Sequence, residues 1–326
     1  MAALVKQTRP RSEPNRLRMV LLFCAVLPVT AAALEMVATI APIHSLLSLV
    51  TEGVRQPHLL LDPLKSPHTY QMRPSDAAAI RTAQAIFRVS PELEVFLNKQ
   101  LANLDRQVRV VNIVDLPALQ LYAARPEGTH RNAPELEADH AHAHGSDHSN
   151  GARIDSHVWM DPRNAQAIVR GITTVLGDLD PANRSRYETN ATRAVARLQE
   201  LDAYAAAKLL PVRDQPFVVF HDAYQYLERR YQLTNLGAMS NLAAGSSSAQ
   251  RLSRLQHEIQ RHNVRCVFLE PQFDPGIATK LTALASIKTT MLDPNGAGVA
   301  PGPQAYFTMI ENNVRSLASC LTPPSQ

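Results

Sequence analysis

The sequence predicts an α/β fold: two βα lobes with parallel sheets, joined by one long backbone helix, with a metal site in the cleft between the lobes. Three observations lead there. Short apolar runs alternate with helical patterns in both halves of the chain, which is the rhythm of a parallel sheet. Residues 181–210 read as helix throughout, with no glycine and no proline after the first residue; roughly 29 residues make a rod of about 43 Å. Finally, His68, His157 and His221 each sit at or near the end of an apolar run, and open parallel sheets bind ligands beyond the carboxyl ends of their strands.

The elements follow in order. Residues 36–41 form a strand, and 42–51 a helix with Ile43, Leu46, Leu47 and Val50 on one face. A second strand covers 58–61 and ends in Asp62-Pro63. Pro74-Ser75-Asp76 opens an alanine-rich helix to Thr82, 85–89 is a strand, and Pro91 precedes a helix over 92–102. Residues 108–114 are a further strand. The polar segment 117–154 breaks the rhythm; it cannot bury enough apolar surface to order itself, so a mobile loop is expected there. Asp161-Pro162 opens a helix to about Gly177. After the rod, strands at 217–220, 233–239, 266–269 and 289–292 alternate with helices at 223–231, 248–262, 275–285 and 303–321.

The first 33 residues have the layout of a secretory signal: a basic stretch, an apolar run over 19–29, then Thr30-Ala31-Ala32-Ala33. The apolar run is short for a membrane span, which needs about 20 residues; an N-terminal anchor is the alternative. This gives a signal peptide at 1–33, an N-terminal lobe at 34–179 containing a histidine-rich loop at about 128–152, a linking helix at 180–210 and a C-terminal lobe at 211–326. The full chain has 33 basic and 29 acidic residues. Without the first 33 residues the formal charge is zero, so the basic balance belongs to the leader and does not indicate a nucleic-acid surface. Removal of Cys24 leaves Cys266 and Cys320. An exported compartment permits a disulfide between them, pinning the terminal helix to the last lobe; two buried free thiols are the alternative.

Transition metals suit these histidines, since imidazole binds zinc, copper, iron and nickel. Three protein ligands with an open position is a common zinc arrangement. Glu270 and Asp293 also directly follow strands. Any one histidine alone is more often a hydrogen-bonded structural residue. Several at strand ends, beside an export signal, shift the balance toward a metal. His140, His142, His144 and His148 form a second, looser cluster that reads as an auxiliary, lower-affinity metal collector.

Four stretches carry a family likeness. They are Ala-Thr-Ile-Ala-Pro-Ile-His-Ser-Leu at 38–46, the run from Leu59 through Ser-Pro-His-Thr-Tyr-Gln-Met-Arg-Pro-Ser-Asp to Asp76, Val-Phe-His-Asp-Ala-Tyr at 219–224, and Leu-Glu-Pro-Gln-Phe at 269–273 followed by Leu292-Asp293-Pro294. In order and over nearly the whole mature chain, the sequence resembles the zinc-uptake solute-binding proteins of bacterial ABC transporters, the ZnuA type. That resemblance implies the two-lobed fold with its long helix, a histidine- and acid-rich loop between the first two ligands, and a disulfide like Cys266–Cys320.

It also implies that His68, His157 and His221 are metal ligands. Histidine at the third position marks the zinc carriers, where manganese and iron carriers usually have a carboxylate. Asp293 matches the place from which a carboxylate approaches the metal, with water as the other candidate for the fourth position. The implied function is high-affinity capture of Zn2+ in the periplasm by a non-enzymatic, monomeric carrier. It would deliver the ion to a membrane permease driven by a cytoplasmic ATPase. The competing readings are a manganese or iron carrier of the same family, and a zinc hydrolase with Glu270 as general base. Asp155, Asp161 and Asp222 are near enough in sequence to orient the imidazoles, and His44, on the loop after the first strand, is expected near the site.

Overall fold

The computed structural model describes residue 3 and residues 34–105, 107–125, 153–239, 248–273 and 287–323. Apolar alternation in the first half becomes β1 (Met36–Ala38), α1 (Ala41–Val50), β2 (His58–Leu59), α2 (Pro74–Thr82), β3 (Ala85–Arg88), α3 (Val95–Leu101) and β4 (Arg109–Asn112). These strands form one parallel sheet in the order β2-β1-β3-β4. The chain then runs through α4 (Pro162–Leu179) and α5 (Arg184–Leu209). The second half gives β5 (Phe217–Val219), α6 (Gln225–Tyr231), β6 (Asn235–Ala238), α7 (Ser248–Arg261), β7 (Cys266–Leu269), β8 (Lys288–Met291) and α8 (Ala305–Leu321). Its sheet is also parallel, in the order β6-β5-β7-β8. Both sheets are wound alike: the first strand lies inside, the second goes to one side, and the third and fourth go to the other. The point where the winding reverses is where such sheets bind ligands.

The rod forms as α5, 26 residues long, or about 39 Å. Pro181–Asn183 makes a separate 3-10 turn ahead of it. Proline is acceptable in that first turn because its missing N–H has no helical partner there. Tyr187, Ala191, Ala194, Val195, Leu198, Leu201, Ala205 and Leu209 are buried at helical spacing. Asn190 on the same stripe donates to the carbonyls of Val50 and Glu52, each at 2.9 Å, which satisfies carbonyls at and just beyond the buried C-terminal end of α1.

A second tie joins the halves. The start of α8 reaches the N-terminal lobe, where Tyr306 N donates to Ser45 Oγ at 2.9 Å and Tyr306 Oη donates to the Trp159 carbonyl at 2.7 Å. Its far end carries Cys320, bonded to Cys266 at the start of β7. The expected disulfide is therefore present, and it fastens α8 to the C-terminal sheet. One large core runs through both lobes, and a smaller cluster around Val218, Leu236, Ile259 and Val267 covers the remaining face of the second sheet. The expected signal (apart from residue 3), the histidine-rich loop at about 128–152 and the helix over 275–285 lie outside the described residues.

Candidate metal centre

His157 is set by the segment that leads into it. A short antiparallel stem pairs Ala123 with Ile154; Ala124 N donates to the Arg153 carbonyl at 2.7 Å and Asp155 N to the Tyr122 carbonyl at 2.9 Å. Asp155 then turns its carboxylate forward. Its Oδ1 accepts from His157 N at 3.0 Å and from the ring Nδ1 at 2.7 Å. An aspartate accepting from the N–H two residues on is a self-made turn. With Nδ1 donating, Nε2 keeps its lone pair for a metal. Helix α6 of the other lobe supports Asp155. Tyr226 Oη donates to its carbonyl at 2.7 Å, and the Gln225 amide, oriented to satisfy both its ends, reaches Oδ2 at 2.8 Å. Burial alone would raise the Asp155 pKa, but the neighbouring His157 ring and its N–H groups outweigh it and hold the carboxyl below its usual range.

His68 follows β2 on a loop with two anchors. Asp76, in the first turn of α2, accepts from Tyr70 Oη at 2.6 Å and from Arg73 N at 2.7 Å. From the opposite lobe, Gln272 Nε2 donates to the Pro63 carbonyl at 3.2 Å. The loop brings His68 Nε2 to 3.4 Å from His157 Nε2. Although part of His68 faces solvent, its imidazole is desolvated and crowded by the rings of His157 and His221, which push its pKa down to about 3. It is therefore a neutral donor at physiological pH.

His221 leaves the end of β5. Its ring centroid lies 5.0 Å from that of His68 and 4.9 Å from that of His157. Glu270 leaves the neighbouring β7, and its Oε2 lies 3.5 Å from His221 Nδ1. Tyr224 Oη donates to the other Glu270 oxygen at 3.0 Å. Burial disfavours a charged His221, but the Glu270 carboxylate, with Asp222 and Asp155 behind it, outweighs burial and raises the pKa.

One nitrogen from each of the three rings lies within 4.8 Å of the others. Tetrahedral zinc with nitrogens about 2.0–2.1 Å away places them about 3.4 Å apart, so the His68–His157 pair already has the spacing and His221 needs a small approach. The space enclosed by His68, His157, His221, Glu270 and Gln272 is about 10 Å³, close to the size of one water. A larger cavity of about 570 Å³, lined by Tyr122, Arg125, Gln225, Glu228 and Asn235 among others, contains none of the imidazoles. The clustered imidazoles, not cavity size, single out the candidate site.

Other expected residues lie elsewhere. The structure does not place Asp293 in the imidazole group; its carboxylate accepts from Gln272 Nε2 and from the backbone N–H of Asn295 and Gly296 at 2.9–3.0 Å. Of the three aspartates expected to orient imidazoles, Asp155 holds His157. Asp161 caps α4 through Arg163 N, and Asp222 pairs with Arg125. His44 is buried on α1, with Nε2 against the Pro57 carbonyl at 3.0 Å. His140, His142, His144 and His148 lie outside the described residues. In the sequence Glu270 stands out only as a strand-end carboxylate and a rival's general base, and Gln225, Tyr226, Gln272 and Arg125 do not stand out at all. No local pattern marks those four, because their partners are distant in the chain.

Comparison with known proteins adds a lineage. A model of the family described as "Zinc-uptake complex component A periplasmic", ZnuA, matches residues 36–320. The high-affinity zinc uptake system protein ZnuA of Brucella suis is 35% identical over 313 residues, covering 88% of this chain and 91% of that protein. A solved ZnuA deletion mutant with zinc bound superposes with a TM-score of 0.73 at 20% identity, over 90% of this chain and all of the other. The binding protein FpvC of Pseudomonas aeruginosa, solved in complex with Mn2+, gives a TM-score of 0.72 at 21% identity, over 89% of this chain and 99% of that one.

Proposed function

The chain belongs to the ZnuA family of periplasmic zinc-uptake components, and from that premise we propose that it captures one Zn2+ outside the cytoplasm and passes it to an ABC permease with a cytoplasmic ATPase. His68, His157 and His221 are the ligands, and export depends on the leader at 1–33. The observation that carries this reading is the convergence of the three ring nitrogens within 4.8 Å, with the His157 tautomer set by Asp155 at 2.7 Å.

An all-imidazole set favours zinc over manganese, which prefers oxygen ligands. The pocket of about 10 Å³ has room for an ion but none for an organic substrate, which supports capture without turnover. Each lobe contributes ligands, so the ion ties them together in a monomer. The loop histidines His140, His142, His144 and His148 act as a weaker collector that is dispensable for tight binding.

Titration calorimetry on the mature protein tests this directly. The expected result is one tight zinc per chain, lost in His68→Ala, His157→Ala and His221→Ala and retained when residues 135–150 are deleted. Tight binding that survives the paired change of His68 and His157 to alanine would overturn the assignment.

A further inference from the structure

We propose that Arg125 is a positioning residue of the metal centre: from the stem on one lobe it grips Asp222 and Glu228 on the other, and it sets how long zinc stays bound. The inference rests on the zinc-capture reading above.

Arg125 lies two residues beyond the Ala123–Ile154 bridge, and its side chain is only 8% exposed. Its Nε donates to Asp222 Oδ2 at 3.0 Å, and Nη2 donates to Asp222 Oδ1. On its other side Nη1 donates to Glu228 Oε2 at 2.6 Å, and Nη2 also reaches Glu228 Oε1 at 3.3 Å. Glu228 is itself fixed by Asn235 Nδ2 at 2.7 Å. A planar guanidinium engaging two carboxylates is the arrangement that a lysine ammonium cannot reproduce.

Chain order gives the clamp its meaning. Asp222 immediately follows His221, so the Arg125 fork holds the peptide that presents the third imidazole. The same stem carries Asp155, which orients His157. One short ladder thus positions two ligands, one through an adjacent carboxylate and one through a cross-lobe ion pair. While the stem stays paired, His221 cannot withdraw from His157 without parting Arg125 from two largely buried acids. Those acids would then face each other without their cation, a costly state at low exposure. Both carboxylates hold Arg125 above even its usual high pKa, so the clamp stays charged across the physiological range. It acts as a fixed barrier to opening and needs no change of protonation.

The test is stopped-flow zinc dissociation into excess chelator, on the full mature chain. Arg125→Lys keeps the charge and loses the fork; on the order of tenfold faster dissociation is expected, as for loss of an outer-sphere partner, with the association rate unchanged. Asp222→Asn is the second variant, guarding against misfolding of the first, and should also release zinc faster. Arg230→Lys is the control. Arg230 grips Asp202 at 3.0 and 2.6 Å, joining α6 to α5, and its loss should lower thermal stability without changing release. Dissociation unchanged in both Arg125→Lys and Asp222→Asn overturns the proposal, as does equal acceleration in Arg230→Lys. Wild-type protein that fails to hold zinc through His157 would instead overturn the functional reading, so the two failures are separable.

Discussion

The two lobes share one winding and divide the work unequally. In the N-terminal lobe His68 and His157 already lie nitrogen to nitrogen at 3.4 Å, and Asp155 grips the His157 ring at 2.7 Å. The C-terminal lobe offers one imidazole, His221, with its carboxylate partner 3.5 Å away. Its sheet also ends in β8, whose Lys288, Thr289 and Met291 are exposed, and a disulfide holds the sheet to α8. On the zinc-capture reading, one topology has thus produced a pre-oriented pair of imidazoles in one lobe and a single, more loosely partnered one in the other. Preorganisation resides in the turns and carboxylates at the strand ends; the sheets supply only the platform.

The sharpest way to break this comparison is to remove one ligand from each half. Zinc in a full site is worth about 10–16 kcal/mol, so one ligand of four carries about 3–4 kcal/mol, or roughly a 10²–10³-fold loss of affinity. His157→Ala should fall at the upper end and His221→Ala at the lower, measured by competition with a chelator of known affinity. The reverse order would show that the C-terminal half is the organised one.

Next come the two orienting carboxylates. Asp155→Asn should weaken zinc binding by about 10–100-fold. Glu270→Gln, whose contact is longer, should cost about tenfold at pH 8. Equal losses would erase the distinction between a gripped ring and a loosely partnered one.

Acidity gives a third, smaller handle. A proton on His221 excludes the metal, and Glu270 raises the His221 pKa. Zinc affinity should therefore begin to fall above the ordinary imidazole value of about 6.5 as pH drops. Glu270→Gln removes the raising charge and leaves burial, so its decline should begin at lower pH and the gap to wild type should narrow on acidification. A parallel pair of pH curves would contradict this.

The smallest effect on affinity should come from the disulfide. Cys266 and Cys320 are 54 residues apart, and closing a loop of that length contributes about 4 kcal/mol to stability. The double serine variant should show a clear drop in melting temperature, while zinc affinity stays within about twofold, as for distant independent sites.

Much of this was legible in the sequence because it depends on short-range periodicity. The described helices of both lobes, the rod at α5 and the three clustered histidines each announce themselves within a few residues. The long-range partners do not. Arg125 meets Asp222 across 97 positions and Gln272 meets Pro63 across 209, and no local pattern encodes either. The different surroundings of Glu270 and Asp293 show the same limit. Both follow a strand, but β7 pairs directly with β5 whereas β8 lies one strand farther out. Glu270 therefore lands beside His221, while the N–H groups of the Asn295-Gly296 turn occupy Asp293. Strand order, which sequence periodicity does not reveal, makes that decision.

Trp159 is the single tryptophan of the chain, fully buried and 5.3 Å from the His157 ring, centroid to centroid. Its Nε1 donates to the Pro294 carbonyl of the opposite lobe at 2.8 Å. The indole is therefore a built-in optical gauge of the contact between the halves. Any movement that parted them there would strip it of that acceptor and let in water, and the colour of its emission would report it without an attached dye.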